Sequence, residues 1–226
     1  MIKSPLELIA FAAETLGDLC DEVVFLGGAV VGLLTTDPAA LTPRSTNDVD
    51  VVVEVSTRAD YYILDERLRS KGFTNDTRGP TCRYLHGWIV VDVMPTNADI
   101  LGFANRWYPL AFETAESHTL DSGATINLIS APCFLATKLD AFNDPDREGH
   151  GDLFTSRDFG DVVSVIDGRP EVVAEVEDSR SELRAYLRES FARILYENYL
   201  HAAVTEHVDR EREDLVLDRM RSLAGA

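Results

Sequence analysis

Hydrophobic residues first recur at helical spacing, with Leu8, Phe11, Ala12, Leu16 and Leu19 falling on one face. Ser4-Pro5-Leu6-Glu7 supplies the start of that helix: a serine N-cap, a proline where no amide hydrogen is needed, and a glutamate three residues on to complete a capping box. The periodicity stops near Gly17 to Cys20. Val23-Val24-Phe25-Leu26 is a short β-branched run ended by Gly27-Gly28, after which Ala29 to Leu34 predicts a helix of small residues packed on a sheet. Beyond a turn-rich loop, Asp37 to Pro43, the pattern from Asp48 to Val55 is that of a strand buried on much of both faces. Ala59 to Lys71 returns to helical spacing with Gly72 as its stop. Trp88 to Met94 is a second buried-type strand closed by Pro95, and Ala124 to Leu128 is a weaker one.

From Ser130 the pattern becomes helical throughout. One helix runs from Ser130 and Pro132 to about Phe142, and another from Thr155 or Ser156 to Gly168-Arg169-Pro170. Glu171 to Leu200 predicts one long helix with Leu183, Tyr186, Leu187, Phe191, Ile194, Leu195 and Tyr199 as its packing stripe. The order of elements predicts an α+β fold with a domain boundary near residue 130: a mixed-sheet domain over 1–129 and a helical domain over 130–226.

Composition narrows the class of protein. An apolar fraction of 45% and a charged fraction of 27% in 226 residues are globular values, and they exclude a disordered or fibrous chain. No apolar run reaches the length of a membrane span, and the N-terminal residues carry a proline and acids where a signal peptide is apolar, so a cytoplasmic protein without a membrane partner is expected. Cys20, Cys82 and Cys133 lack metal-ligand spacing and are expected to be buried thiols. A net charge of -18 opposes broad attraction to nucleic acid, so any nucleic-acid substrate must dock on a local basic patch.

Against this background two acids are out of place. Asp48 and Asp50 lie two apart at the start of a strand, so their side chains share a face, with Cα atoms roughly 6.5 to 7 Å apart. Such a pair can share a hard divalent cation, whose remaining ligands are water and phosphate oxygens. The structural alternative is a frayed strand end in water, or pairing with Arg44 or Arg83. Asp92, inside the apolar run Ile89 to Met94, adds a third carboxylate wherever its strand neighbours that of Asp48, and three acids suit two metal ions. Gly27-Gly28 can expose backbone amides to phosphate oxygens. The loop Asp144 to Asp152 spaces its oxygen side chains as a calcium loop does, but Thr155 stands where such a loop needs a bidentate glutamate, and the loop is expected to be a solvated connection.

Gly27-Gly28, then Arg44-Ser45-Thr46-Asn47-Asp48-Val49-Asp50, then Asp92 in an apolar strand, resembles the nucleotidyltransferase superfamily with its polymerase-β-like fold. The order Gly-Gly, helix, Arg-x-Ser/Thr-x-Asp-x-Asp is most similar to the AbiEii-like nucleotidyltransferases, which include toxins of type IV toxin-antitoxin systems. Lys138-Leu139-Asp140-Ala141 and Arg157-Asp158-Phe159-Gly160-Asp161 are similar to that group's lysine helix and its later Arg/Lys-Asp-x-x-Asp helix. The resemblance spans about residues 22 to 165. It implies transfer of a nucleoside monophosphate from an NTP to an acceptor hydroxyl on tRNA, protein or a small molecule. It implies Mg²⁺, as two ions, or Mn²⁺, held by Asp48, Asp50 and Asp92 as the catalytic carboxylates. Nucleotide contacts fall to Gly27, Gly28, Arg44, Thr46, Lys138 and Asp158, with Lys138 on the triphosphate and Asp158 supporting the nucleotide or the lysine. A toxin also implies an antitoxin protein as partner.

Overall fold

In a computed structural model, which describes residues 4–147 and 149–225, the chain forms two compact units. The first comprises residues 4–30 and 44–130, and the second residues 31–43, 131–147 and 149–225. In chain order the elements are α1 (Pro5–Leu16), β1 (Val23–Leu26), α2 (Val31–Leu34), β2 (Asp48–Val53), α3 (Arg58–Ser70), β3 (Thr74–Asn75), β4 (Arg83–His86), β5 (Ile89–Pro95), α4 (Ala98–Leu101), α5 (Tyr108–Glu113), β6 (Glu116–Thr119) and β7 (Thr125–Leu128). The helices α6 (Ala131–Phe142), α7 (Arg157–Gly168), α8 (Val172–Asp178), α9 (Ser181–Leu195), α10 (Leu200–Thr205) and α11 (Glu213–Ala224) follow.

The first unit is a mixed seven-stranded sheet of order β3-β4-β5-β2-β1-β7-β6. Its centre is the parallel pair β2 and β5, flanked by antiparallel partners, with β7 parallel to β1. Val49, Val51, Val52, Val91 and Phe25 are fully buried, as expected of inner strands covered on both faces. The α1 capping box forms as the sequence predicts: the Glu7 amide donates to Ser4 Oγ, and the Ser4 amide donates to the Glu7 carboxylate. Thr57 and Asp60 build a second box at the start of α3. The small-residue helix expected over Ala29 to Leu34 is instead a 3-10 turn, Gly28–Val30, and one α-helical turn, α2.

The strands that the hydrophobic pattern misses lie toward the sheet margins. β6 is an edge strand with mostly exposed side chains, Glu116-Ser117-His118-Thr119, and β3 is two residues long. An edge strand has no second neighbour and little burial, so selection for alternating apolar residues is absent.

In the second unit α6 is buried along nearly its whole length, α9 packs on α11, and α6 packs on α7. The loop carrying residues 31–43 belongs here because it caps the C-terminal end of α7. The Thr36 and Asp37 amides donate to the Gly168 carbonyl at 2.7 and 2.9 Å, and Arg212 reaches the Asp37 and Asp167 carboxylates at 2.7 and 2.6 Å. Arg219 donates to the carbonyls of Ile166 and Asp167. These contacts satisfy carbonyls that the end of a helix leaves without partners. The long helix expected over Glu171 to Leu200 is broken twice. Ser179 and Arg180 are extended between α8 and α9, and Tyr199 is left-handed at φ 69 between α9 and α10. Leu183, Leu187, Phe191 and Ile194 keep the predicted stripe, while Tyr199 is exposed.

Candidate active site

The site follows from strand register. In the parallel pair Asp50 stands beside Asp92, and in the antiparallel pair of β4 and β5 Asp92 stands opposite Arg83. Directly paired residues project to the same face, so one row across three strands carries Arg83, Asp92 and Asp50, with Asp48 two residues back on β2. Asp48 and Asp50 are half-buried and Val49 between them is fully buried, as strand alternation requires. Asp92 is the most enclosed acid of the group, with its side chain 10% exposed.

Arg83 is bound into this row. Its Nε donates to Asp92 Oδ1 at 2.9 Å and its Nη2 to Asp92 Oδ2 at 2.7 Å, a two-pronged pairing, while Nη2 also lies 3.5 Å from Asp48 Oδ2. The Asp92 hydrogen bonds are the largest cause raising the Arg83 pKa above its ordinary value, so the guanidinium stays charged. Thr46 Oγ1 donates to Asp48 Oδ1 at 2.8 Å. Arg44 donates from Nη1 to the Ser45 carbonyl. The neighbouring Cys82 thiol is pushed up to about 12, first by burial and then by the charge of Asp92, so it is a packing residue and no nucleophile.

Gly27 closes the row at the end of β1, where Leu26 pairs with Asp50. It has φ +75, and a Cβ placed on it would lie 1.8 Å from Asp50 Oδ2. The glycine is therefore fixed twice, by a left-handed backbone and by the carboxylate packed against it. Gly28 is buried in the 3-10 turn that follows. The helical turn beyond it, Val31–Leu34, is four residues long.

Lys138 and Asp158 form a separate cluster in the helical unit. Lys138 Nζ lies 3.0 Å from Asp158 Oδ1 and 2.7 Å from Asp161 Oδ2, and Arg147 joins Asp158 at 3.1 Å. The two aspartates sit three apart on α7 and so present both carboxylates to one face, and Ser156 caps that helix by accepting from the Phe159 amide. The loop that resembles a calcium site contributes Arg147 to this cluster; its Glu148 lies outside the described residues.

The donor chemistry of Asp48, Asp50 and Asp92 fits a hard divalent cation, which takes carboxylate oxygens. Among the described residues, however, no three His, Cys, Asp or Glu side chains are arranged to hold a metal ion as they stand. The Arg83 guanidinium lies beside both Asp92 and Asp48. Sequence reasoning named Arg83 only as an alternative partner for the aspartates, yet a local signal locates it. Gly87-Trp88 is a two-residue hairpin loop with glycine first, at φ +58, which sets His86 opposite Ile89 and, three pairs on, Arg83 opposite Asp92.

The chain has the α+β fold of nucleotidyltransferase-like proteins: a mixed sheet with flanking helices, followed by a helical region. Among solved structures it is similar to an antigenic nucleotidyltransferase-like protein from Paracoccidioides brasiliensis, at 21% identity over 89% of this chain and 92% of that one, with a TM-score of 0.54. The likeness is one of fold. No family model and no curated protein matches the chain. Among the described residues, no helix is long and apolar enough to cross a membrane.

Proposed function

We propose that this protein is a metal-dependent nucleotidyltransferase of the AbiEii-like kind, acting as the toxin of a toxin-antitoxin pair. The observation that supports this most is the strand register that gathers Asp48, Asp50 and Asp92 on one sheet face of a nucleotidyltransferase-like fold. Asp48, Asp50 and Asp92 would hold Mg²⁺ or Mn²⁺. Once bound, the divalent cation supplies charge neutralisation for the triphosphate and lowers the pKa of the acceptor hydroxyl.

The residues of the chain divide the remaining tasks. Asp92 takes the proton of the acceptor hydroxyl, whose oxygen attacks the α-phosphorus as pyrophosphate leaves. Thr46 fixes the orientation of Asp48 through its hydrogen bond, and Gly27 lets the β1 turn close on Asp50. Arg44 meets phosphate oxygens, and in the helical unit Asp158 orients Lys138. The acceptor is a tRNA or protein hydroxyl. The charge of -18 confines a tRNA to a local basic surface.

Lysate incubated with α-labelled NTPs, Mg²⁺ and the protein tests this directly, because mass spectrometry of the labelled product identifies donor and acceptor together. Transfer that continues at the wild-type rate in Asp48→Ala or Asp50→Ala overturns the proposal. Growth arrest on expression, lost in Asp48→Ala, supports the toxin; normal growth with the intact chain and a labelled small molecule supports an antibiotic-type transferase instead. The Arg83 fork favours one other reading, a nucleotide-binding module whose carboxylates stay paired. That module would bind NTP in calorimetry and release no pyrophosphate with any acceptor.

A further inference from the structure

We infer that Arg83 is a displaceable counter-ion of the carboxylate site, which a divalent cation replaces at Asp92 only when nucleotide phosphates take over the guanidinium, so that metal and nucleotide enter together. The inference rests on the nucleotidyltransferase reading for the identity of its ligands, and it assigns Arg83 a nucleotide-binding role.

Three features of the site carry it. First, the fork engages both oxygens of Asp92, and the same Nη2 reaches toward Asp48, so the guanidinium spans the two carboxylates that a shared cation would bridge. A cation placed there would meet the like charge of the guanidinium. Second, the two partners differ in freedom. Asp92 sits on β5, between β4 and β2 in the interior of the sheet, with its side chain 10% exposed; Arg83 is 28% exposed on a long stem. The arginine is therefore the partner that can move. Third, a guanidinium carries a fixed charge and a planar set of donors that matches phosphate oxygens as well as it matches a carboxylate. Nucleotide phosphates offer it an equivalent partner within reach of the same carboxylates, whereas a free metal ion offers none.

The arrangement couples the two ligands. A metal ion arriving alone must leave Arg83 without its acceptor, and so binds weakly. A metal-nucleotide complex supplies cation and anion together, exchanging the Asp92 pairing for two new ones. By reciprocity the metal increases nucleotide affinity by the same factor.

The test is an electron paramagnetic resonance titration of Mn²⁺ into the full chain, alone and with the α,β-methylene analogues of the four common NTPs. The double variant Asp48→Asn/Asp50→Asn subtracts Mn²⁺ held by surface acids of this acidic chain. Arg58→Gln, an exposed residue bonded to the Asp99 carbonyl, controls for removal of one positive charge. In the wild type an analogue is expected to tighten site-specific Mn²⁺ binding at least tenfold. Arg83→Gln is expected to bind Mn²⁺ alone at least tenfold tighter than either wild type or Arg58→Gln, and to lose most of the enhancement by nucleotide. Arg83→Lys, which keeps the charge but not the fork, is expected to fall between them and serves if Arg83→Gln does not fold. Binding of Mn²⁺ alone by Arg83→Gln, or by Arg83→Lys in its place, that is no tighter than wild type overturns the inference and leaves the nucleotidyltransferase reading intact. Binding that the double variant leaves unchanged, with and without analogue, overturns that reading as well.

Discussion

Gly27→Ala separates the two constraints on the turn beside Asp50. Placing an L-residue at φ +75 costs about 1–2 kcal/mol by local sterics alone. The added Cβ would also lie 1.8, 2.6 and 2.8 Å from Oδ2, Cγ and Cβ of Asp50. Rotating the carboxylate cannot relieve the last of these, because the Asp50 Cβ is fixed to the strand. The turn or β2 must shift, adding an overpacking cost of about 1–3 kcal/mol. Gly102 provides the control: it has φ +88 with nothing within 4 Å of its added Cβ, so Gly102→Ala carries the backbone cost only.

Denaturant unfolding of the two variants should therefore differ by about 1–3 kcal/mol, with Gly27→Ala the less stable. Transfer of labelled nucleotide should fall about 100-fold in Gly27→Ala, the usual consequence of moving a catalytic group by an ångström, and should be unchanged in Gly102→Ala. Equal stability loss in the two variants, with full transfer retained in Gly27→Ala, would refute the close packing of the turn on Asp50.

Three further perturbations address the helical unit. Arg212→Ala leaves the Asp167 carboxylate, 2% exposed, without its cation and uncaps α7, and should cost about 3–5 kcal/mol in a urea melt, which Arg212→Lys restores only in part. Lys138→Met removes the cation shared by Asp158 and Asp161 and should lower stability by up to about 3–5 kcal/mol alongside any loss of transfer; an unchanged unfolding midpoint would show that the cluster contributes nothing to the fold. His207 has its pKa lowered mainly by burial, with Nε2 unpartnered and the ring edge-on to Phe159 at 6.0 Å. Its neutral form is the one the folded state accommodates, so the associated stability is complete above about pH 6.5 and is lost as pH falls from there through the lowered folded pKa. Thermal melts between pH 7.5 and 5 should show this slope, and His207→Gln should flatten it.

How far the sequence reveals the molecule depends on burial and on distance along the chain. Capping at Ser4 and Ser156 is legible because the cap and its helix are neighbours in sequence, and β2 and β5 are legible because both faces of each are covered. Asp48, Asp50 and Asp92 stand out for the same reason, as acids interrupting apolar strands. β4 hides its importance, since Arg83-Tyr84-Leu85-His86 has only one fully buried member, and its pairing with β5 is announced only by Gly87-Trp88. The return of residues 31–43 to the end of α7 involves partners well over a hundred positions away, Gly168 and Arg212 among them, and no local pattern encodes it. The break at Tyr199 is equally silent, for a left-handed residue without glycine carries no composition signal.

The energetics of the Arg83 fork decide what kind of site the three carboxylates form. Breaking a largely buried ion pair by withdrawing one partner costs about 3–5 kcal/mol, because the other charge is left uncompensated. At 1.4 kcal/mol for each factor of ten, about two to three and a half orders of magnitude would be lost from the affinity for a metal ion that displaced Arg83 without rehousing it. The actual loss is smaller to the extent that the metal neutralises Asp92 itself and water solvates the released guanidinium, which at 28% exposure already has access to solvent. That leaves Arg83 as the group that loses a partner, and phosphate oxygens repair that loss by accepting its hydrogen bonds. On the inference above, the same arginine would weaken binding of free metal and strengthen the coupling of metal to nucleotide. A lysine at position 83 would carry the charge without the fork, binding Asp92 through a single point and releasing it more readily, and the coupling would shrink accordingly.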